Sequence, residues 1–232
     1  NTGALMALSK IILKMIPGID RPAICGSLPT KIGQCHILDL GANVECDANH
    51  LYQFSILGSA LVQSLEINTR PVIGLLNVGS EEFKGNDTIK NAGQLMQGSK
   101  LNYAGFVEGD EIFNGNFDVI VSDGFAGNIA LKSIEGVAKL ISHFIKTEFN
   151  KSIFTKLAAL ISYPVMGAVK NKVDPRKYNG ASLLGLQGVV VKSHGGADSY
   201  AFSQAINTAY YEVKNDILDK IESLVRSGGS HD

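Results

Sequence analysis

Lys84 stands beside Gly85 and five residues after Gly79, in "NVGSEEFKGND", directly after the apolar run "VIGLL". Loops of similar make-up follow other apolar runs: "LGANVECD" with Asn43, "SDGFAGN" with Asp123, Gly127 and Asn128, and "KSHGGAD" with His194. Glycines expose backbone N–H groups, and a following helix N-terminus adds partial positive charge. A lysine and two carboxamides in that setting make a site for phosphate or an oxyanion. Each loop also has a plainer reading. Glycine closes tight turns, Asn43 and Asn128 can bond their own backbone, and Lys84 can be a solvated surface lysine. For His194, ligand contact and structural capping both stay open. Recurrence favours the chemical reading, because four such loops are expected to converge on one sheet edge.

Other chemistries lack their patterns. After Gly79 the next glycine is one place late for a Walker-type phosphate loop, and Asn86 follows it where Lys is required. No strand-linked G-x-G-x-x-G or G-x-S-x-G elbow is present. Cys25, Cys35 and Cys46 show no paired metal spacing, and no residue identifies itself as an activator of Cys46. No metal or organic cofactor is expected. Without a side-chain nucleophile, acyl transfer at such a site would use the bound anion as the attacking group.

The elements that must hold these loops recur as strand, glycine loop and helix. The expected units are strand 35–40 with helix 49–65, a strand ending near 76 with a helix from Asp87, and a strand near 117–122 with a helix from about 127. The fourth unit is "GVVVKSHGGAD" and one long helix carrying Phe202, Ile206, Tyr210, Val213, Ile217 and Leu224 at helical spacing. Strands alternating with amphipathic helices predict an α/β sheet covered on both faces, with ligands at the carboxyl ends of the strands. "NTGALMALSKIILKMI" reads as a capped helix, Asn1 or Thr2 at the cap, with no strand to feed it. The pattern therefore predicts a chain lacking its first βα units.

Size and charge set further bounds. The 232 residues are 45% apolar and 19% charged with net charge −1, which suits one globular α/β domain over 1–226 and argues against general nucleic-acid binding. The last residues, 227–232, read as a disordered tail. The segment 147–180 differs in texture. Ile153, Phe154, Leu157, Leu160 and Ile161 share one helical face, and Pro164 is expected to break the run. Between 151 and 177 six Lys or Arg face one Asp. This reads either as a core helix with a lysine rim or as an interfacial amphipathic helix.

Six blocks in order, "NTGAL", "LDLGANVECDANHLYQF", "GLLNVGSEEFKGND", "DGFAGNIALK", "NGASLLGL" and "KSHGGADSYAF", closely resemble the bacterial PlsX-type phosphate acyltransferases from Asn1 to about Ile221. That family opens with an "AMGGDHAP"-like segment which has no counterpart in this sequence. The resemblance implies a three-layer α/β/α sandwich, Rossmann-like, of the isocitrate/isopropylmalate dehydrogenase-like superfamily, with a protruding amphipathic helical segment at 147–180. It implies transfer of a fatty acyl group from acyl-[acyl-carrier protein] to inorganic phosphate, by a homodimer, for phospholipid synthesis. It places the catalytic residues at Lys84 and Asn128. Gly79, Gly85, Asn86 and Gly127 then join the phosphate site, with Asn1, Thr2, Asn43, Asp123 and His194 as further candidates; Asp123 would orient Lys84 or a loop amide. The expected partners are acyl-carrier protein, a membrane surface met through 151–177, and a downstream membrane glycerol-3-phosphate acyltransferase. The expected location is cytoplasmic and peripherally membrane-associated. A phosphotransacetylase acting on small acyl-coenzyme A, a non-catalytic membrane scaffold and, more weakly, a nicotinamide dehydrogenase are the alternatives.

Overall fold

The computed structural model describes residues 2–228 and divides into two units, 1–128 with 176–232, and 129–175. The elements of the first unit, in chain order, are α1 (Thr2–Leu13), β1 (Ala23–Thr30), β2 (Gly33–Leu38), α2 (Ala48–Ser64), β3 (Ile73–Leu76), α3 (Asp87–Gln97), β4 (Tyr103–Val107) and β5 (Val119–Val121). Next come α4 (Gly124–Phe149) and α5 (Ile153–Lys172), which run through the second unit. β6 (Ala181–Leu184), β7 (Val191–Lys192), α6 (Ser199–Lys214) and α7 (Ile217–Gly228) return to the first.

One seven-stranded sheet has the order β4-β3-β5-β2-β1-β6-β7. β4, β3, β5 and β2 run parallel, whereas β1 is antiparallel to both β2 and β6. Alternation along the strands sorts the core by face. Leu38, Ile73, Leu75, Val119 and Val121 join Phe54, Leu57 and Leu61 of α2, Met96 of α3, and Ile217 and Ile221 of α7. Cys35, Ile37 and Ile120 point the other way, under Ile112, Phe113 and Phe117. Ile24 and Leu183 meet Met6 and Leu13 of α1. The expected α/β sheet with apolar packing on both faces is therefore present.

Local signals fix several boundaries. Asp47 caps α2 in a capping box, its Oδ1 accepting from His50 N at 2.8 Å and His50 Nδ1 accepting from Asp47 N at 3.2 Å. Asn86 caps α3. Three expectations need correction. The helix expected across 202–224 is two, because Asn215 caps α6 and Asp216 takes φ +51°, which resets the helical phase. Consequently Phe202, Ile206, Tyr210 and Val213 are exposed, and only Ile217 and Leu224 reach the core. Pro164 does not end its helix: α5 continues through it. A mid-helix proline costs about 3 kcal/mol, and the Ser152–Thr155 capping box and the basic last turn support the helix on either side. Ser227 and Gly228, expected in the tail, close α7, Ser227 Oγ donating to Leu224 O; the rest of the expected tail, 229–232, lies outside the described residues.

The second unit carries little packing of its own. α5 has no buried residue, and Ile153, Phe154, Leu157, Leu160 and Ile161 are all exposed. Thr155, Ala159, Ser162 and Met166 form its half-buried stripe. The buried residues of α4, Gly124 and Gly127, both belong to the first unit.

Glu212 is a charged residue inside the first unit's core, 1% exposed on α6 with Ser182 Oγ donating to it. Burial raises its carboxyl from 4.5 to about 7, with the serine bond pulling the other way. A folded pKa above the unfolded one means the native state is favoured fully below 4.5 and loses that advantage as pH rises through 7. At about 1.36 kcal/mol per unit, roughly 3 kcal/mol is at stake. Thermal melting of the wild type should show stability falling between pH 5 and 8, and Glu212→Gln should flatten that slope. An identical slope in the variant would remove Glu212 from the account.

Candidate functional site

Three parallel strands end on one line. Leu75 of β3 pairs with Val121 of β5, which pairs with Leu38 of β2. The chain leaves all three in the same direction, so the loops 77–86, 122–123 and 39–47 emerge at a single sheet edge. Lys84, Asn128 and Asn43 are brought to that edge by this register. β7 is different: it runs antiparallel to β6, and β6 runs parallel to β2, so its loop leaves toward the opposite end. His194 therefore does not join the other loops, and three loops converge where four were expected. Its N donates to Asn179 Oδ1 at 2.9 Å, and its Nδ1 accepts from Gly196 N at 3.1 Å, which is a turn-forming role. Thr2 opens α1 and shares no strand end with the others; Asn1 lies outside the described residues.

The β3–α3 loop is built on a residue that sequence reasoning passed over. Asn77, buried at the end of β3, donates from Nδ2 to Lys84 O at 3.1 Å. Gly85 has φ +88°, and a β-carbon there would overlap Asn77 Oδ1, so the turn needs glycine twice over. The Lys84 side chain lies across the bare face of Gly79 and pairs with Glu81, Nζ to Oε2 at 3.0 Å. Lys84 and Glu81 beside it are about half exposed, so solvent screens the pair and leaves it weak. Glu81's own backbone N–H, and after it the Lys84 ammonium, hold the Glu81 carboxyl below the usual glutamate range. Asn86 spends its Oδ1 on Ile89 N, at 2.9 Å, as the α3 cap.

The second missed residue is Asp39, which has no exposed surface. Its Oδ1 accepts from Ile24 N and Ala42 N, both at 3.0 Å; its Oδ2 accepts from Asn43 N at 2.6 Å and Asn43 Nδ2 at 2.9 Å. Burial pushes this carboxyl up, and the four donors oppose that. Asn43 Nδ2 also donates to Pro22 O at 2.8 Å, so both amide hydrogens of Asn43 hold the loop. In "LDLGAN" and "LLNVGS" the available signal was a polar residue closing an apolar run just ahead of a glycine.

Asn128 sits in the first turns of α4, packed against that loop. Gly124 N donates to Asn43 O at 2.8 Å, and a β-carbon at Gly127 would overlap Asp39 O, so helix and strand end approach at glycine contact. Asp123 Oδ1 accepts from Ala126 N at 2.7 Å, so it orients a helix amide and not Lys84. The Gly127 N–H is spent on Asp123 O at 3.0 Å, leaving Gly127 as a point of close approach. The Asn128 side chain is exposed, lies over Gly41, and among the described residues its carboxamide has no hydrogen-bond partner. Cys46 nearby donates to Asn43 O at 3.6 Å, and burial lifts its thiol to about 12, so it is no nucleophile at neutral pH. The edge thus presents a cation and a helix-terminal carboxamide donor from neighbouring strands, suited to an anion and a carbonyl oxygen.

The α/β fold that carries this edge is similar to that of solved phosphotransacetylases. A phosphotransacetylase from Streptococcus pyogenes aligns with TM-score 0.63 at 15% identity, over 92% of this chain and 60% of that one. The EutD phosphotransacetylase from Staphylococcus aureus aligns with TM-score 0.54 at 16% identity, over 91% and 58%. The family model described as "Fatty acid synthesis protein" matches residues 1–220, and the chain belongs to that family. Its relatives include the phosphate acyltransferase of Methylococcus capsulatus, 56% identical over 95% of this chain and 65% of that protein. That of Alkalilimnicola ehrlichii is 55% identical over 98% and 66%. The chain therefore spans about two thirds of the length of these relatives.

Gly85→Ala should destabilise the protein by more than Gly33→Ala in urea unfolding. Both glycines have positive φ, but a β-carbon at Gly33 meets open space. The shared strain is of order 1–3 kcal/mol, and the excess at Gly85 reports the Asn77 contact. Equal losses would show that Asn77 yields without cost.

Proposed function

We propose that this protein transfers a fatty acyl group from acyl-[acyl-carrier protein] to inorganic phosphate, giving acyl-phosphate for phospholipid synthesis. The observation that carries the reading is the shared strand-end level of the Lys84 and Asn128 loops, in a chain 55–56% identical to relatives named phosphate acyltransferase. A phosphate oxygen attacks the thioester carbonyl carbon and the carbonyl oxygen gains charge. The C–S bond then breaks, and the thiolate leaves and takes up a proton. Lys84 holds the phosphate. The exchange from Glu81 is inexpensive, because the half-exposed ion pair is weak while a hydrogen bond to a charged group is worth about 1.5–3 kcal/mol. Asn128 donates to the developing oxyanion. Val44, Val78 and Phe83, exposed on two of these loops, and Phe125, exposed in the first turn of α4, support an apolar acyl substrate beside the polar centre.

Acyl-phosphate trapped with hydroxylamine in the full gene product tests this. Asn128→Ala should lower kcat by about 10²–10³-fold, the usual cost of losing one oxyanion donor, and Lys84→Ala should mainly raise the KM for phosphate. No acyl-phosphate from the unaltered protein would sink the reading.

The fold reading extends to a three-layer sandwich of the isocitrate/isopropylmalate dehydrogenase-like superfamily, acting as a homodimer in the cytoplasm, with 147–180 protruding toward a membrane surface. The membrane-facing part of that reading is supported by a helix, Ile153–Lys172, with no buried residue, an exposed apolar face and Lys151, Lys156, Lys170 and Lys172 around it. The stretch Ile153–Tyr178 is long and apolar enough to cross a membrane, by length and composition alone. With lysines at its rim it suits the interface of an anionic bilayer, where the product would pass to a membrane glycerol-3-phosphate acyltransferase. Sedimentation with vesicles rich in anionic lipid should capture the protein and lose it in high salt. Phe154→Asp with Ile161→Asp should abolish capture while acyl-phosphate formation persists. Capture unaffected by those changes would assign the face to something other than lipid.

A further inference from the structure

We propose that Asp39 is the positioning residue for Asn128, fixing through the 40–43 loop where the carboxamide meets the substrate carbonyl. The proposal rests on the oxyanion role given to Asn128 above. Asp39 touches no substrate in this scheme; its buried carboxylate gathers Ile24 N from the neighbouring strand and Ala42 N, Asn43 N and Asn43 Nδ2 from its own loop. Those four bonds leave the loop one path. Along it Asn43 O receives Gly124 N, and the Asp39 carbonyl abuts Gly127, so the first turn of α4 rests on the loop at two points.

A third point lies under the reactive side chain itself. Gly41, at φ +111°, faces Asn128, and a β-carbon built there would stand 3.4 Å from Asn128 Cβ, 3.5 Å from Cγ and 3.7 Å from Oδ1. The floor of the Asn128 carboxamide is therefore a segment whose path is set by Asp39. Lys84 is held separately, through Asn77 on β3. A change at Asp39 should thus reach the carbonyl step and spare phosphate binding, a split that general loss of structure would not produce.

The substitution Asp39→Asn keeps the size but sets an NH2 against backbone donors. Misplacement of about 1 Å can cost about 10²-fold, so kcat should fall by about that factor while the KM for phosphate stays within roughly twofold. The decisive readout is the double-mutant cycle. In an Asn128→Ala background, Asp39→Asn should cost less than roughly threefold further, since the group it positions is gone. Gly41→Ala supplies a second route that leaves the carboxylate intact, and it should show the same lack of additivity with Asn128→Ala. Thermal melts of every variant separate these effects from unfolding. Additive losses in both cycles, or a parallel loss of phosphate affinity, would overturn the positioning role while leaving Asn128 in place. Full activity in Asn128→Ala itself would overturn the oxyanion role and this proposal with it.

Discussion

A carboxylate removed from water must be surrounded by donors or surrender its charge, and Asp39 is held by four N–H groups. One of these belongs to Ile24, at the start of β1, and that gives the antiparallel β1 its meaning in an otherwise parallel half of the sheet. β1 lies against the end of β2, supplies a donor to Asp39 and accepts Leu40 N at 3.0 Å. The chain leaving β2 is gripped from both sides at the place where it turns over the sheet edge. Glycines at 124 and 127 then let α4 seat directly on that turn. Sheet order, loop path and helix start are one connected arrangement with the buried charge at its centre.

Much of this was legible in the sequence, and the residues show why. β2, β3 and β5 announce themselves as apolar runs ahead of glycine loops, and Asp47 and Asn86 stand where caps are expected. β1 escaped because Gly26 and Pro29 break its strand pattern, and its partners lie on β2 and β6, the latter far along the chain. The stripe from Phe202 to Leu224 misled because spacing alone cannot register a two-residue break at Asn215 and Asp216. Asp39 and Asn77 lie inside the glycine-loop motifs, where sequence alone does not set them apart. At a strand end such residues ordinarily make turns, and only burial shows that their side chains face inward and bind the loop backbone. The convergence of three loops, and not four, depends on strand direction, which no local pattern encodes.

The two units draw on different sources of stability. In the first, α2 is buried along most of its length, and Phe54, Leu57 and Leu61 each remove a large apolar side chain from water, worth about 1.5–3 kcal/mol apiece. In the second, α5 buries no residue, so its helicity rests on local terms: the Ser152–Thr155 capping box, lysines in the last turn and length. Such terms amount to a few tenths to about 1.5 kcal/mol each. A twenty-residue helix with a proline inside it and an exposed apolar face has most of its burial energy still to gain. That free energy is available to whatever surface covers the face, which is the physical basis for reading it as an interface.

The way Lys84 is held bears on catalysis as well as binding. A phosphate gripped tightly in the ground state makes a poor nucleophile, because equal attraction to substrate and transition state leaves the barrier unchanged. Here the lysine is not free: Glu81 already occupies it at 3.0 Å, at a half-exposed position where the pair is worth little. In the proposed reaction phosphate displaces that partner, so its net ground-state binding would be the difference between two interactions and would stay modest. Asn128 has no such competitor among the described residues, and in the proposed reaction its carboxamide answers a charge that grows only as the thioester is attacked. Within the proposed reaction, tolerant holding of the nucleophile and pre-set stabilisation of the oxyanion fall to different strand ends. Separate scaffolds at Asn77 and Asp39 allow each to be set without disturbing the other.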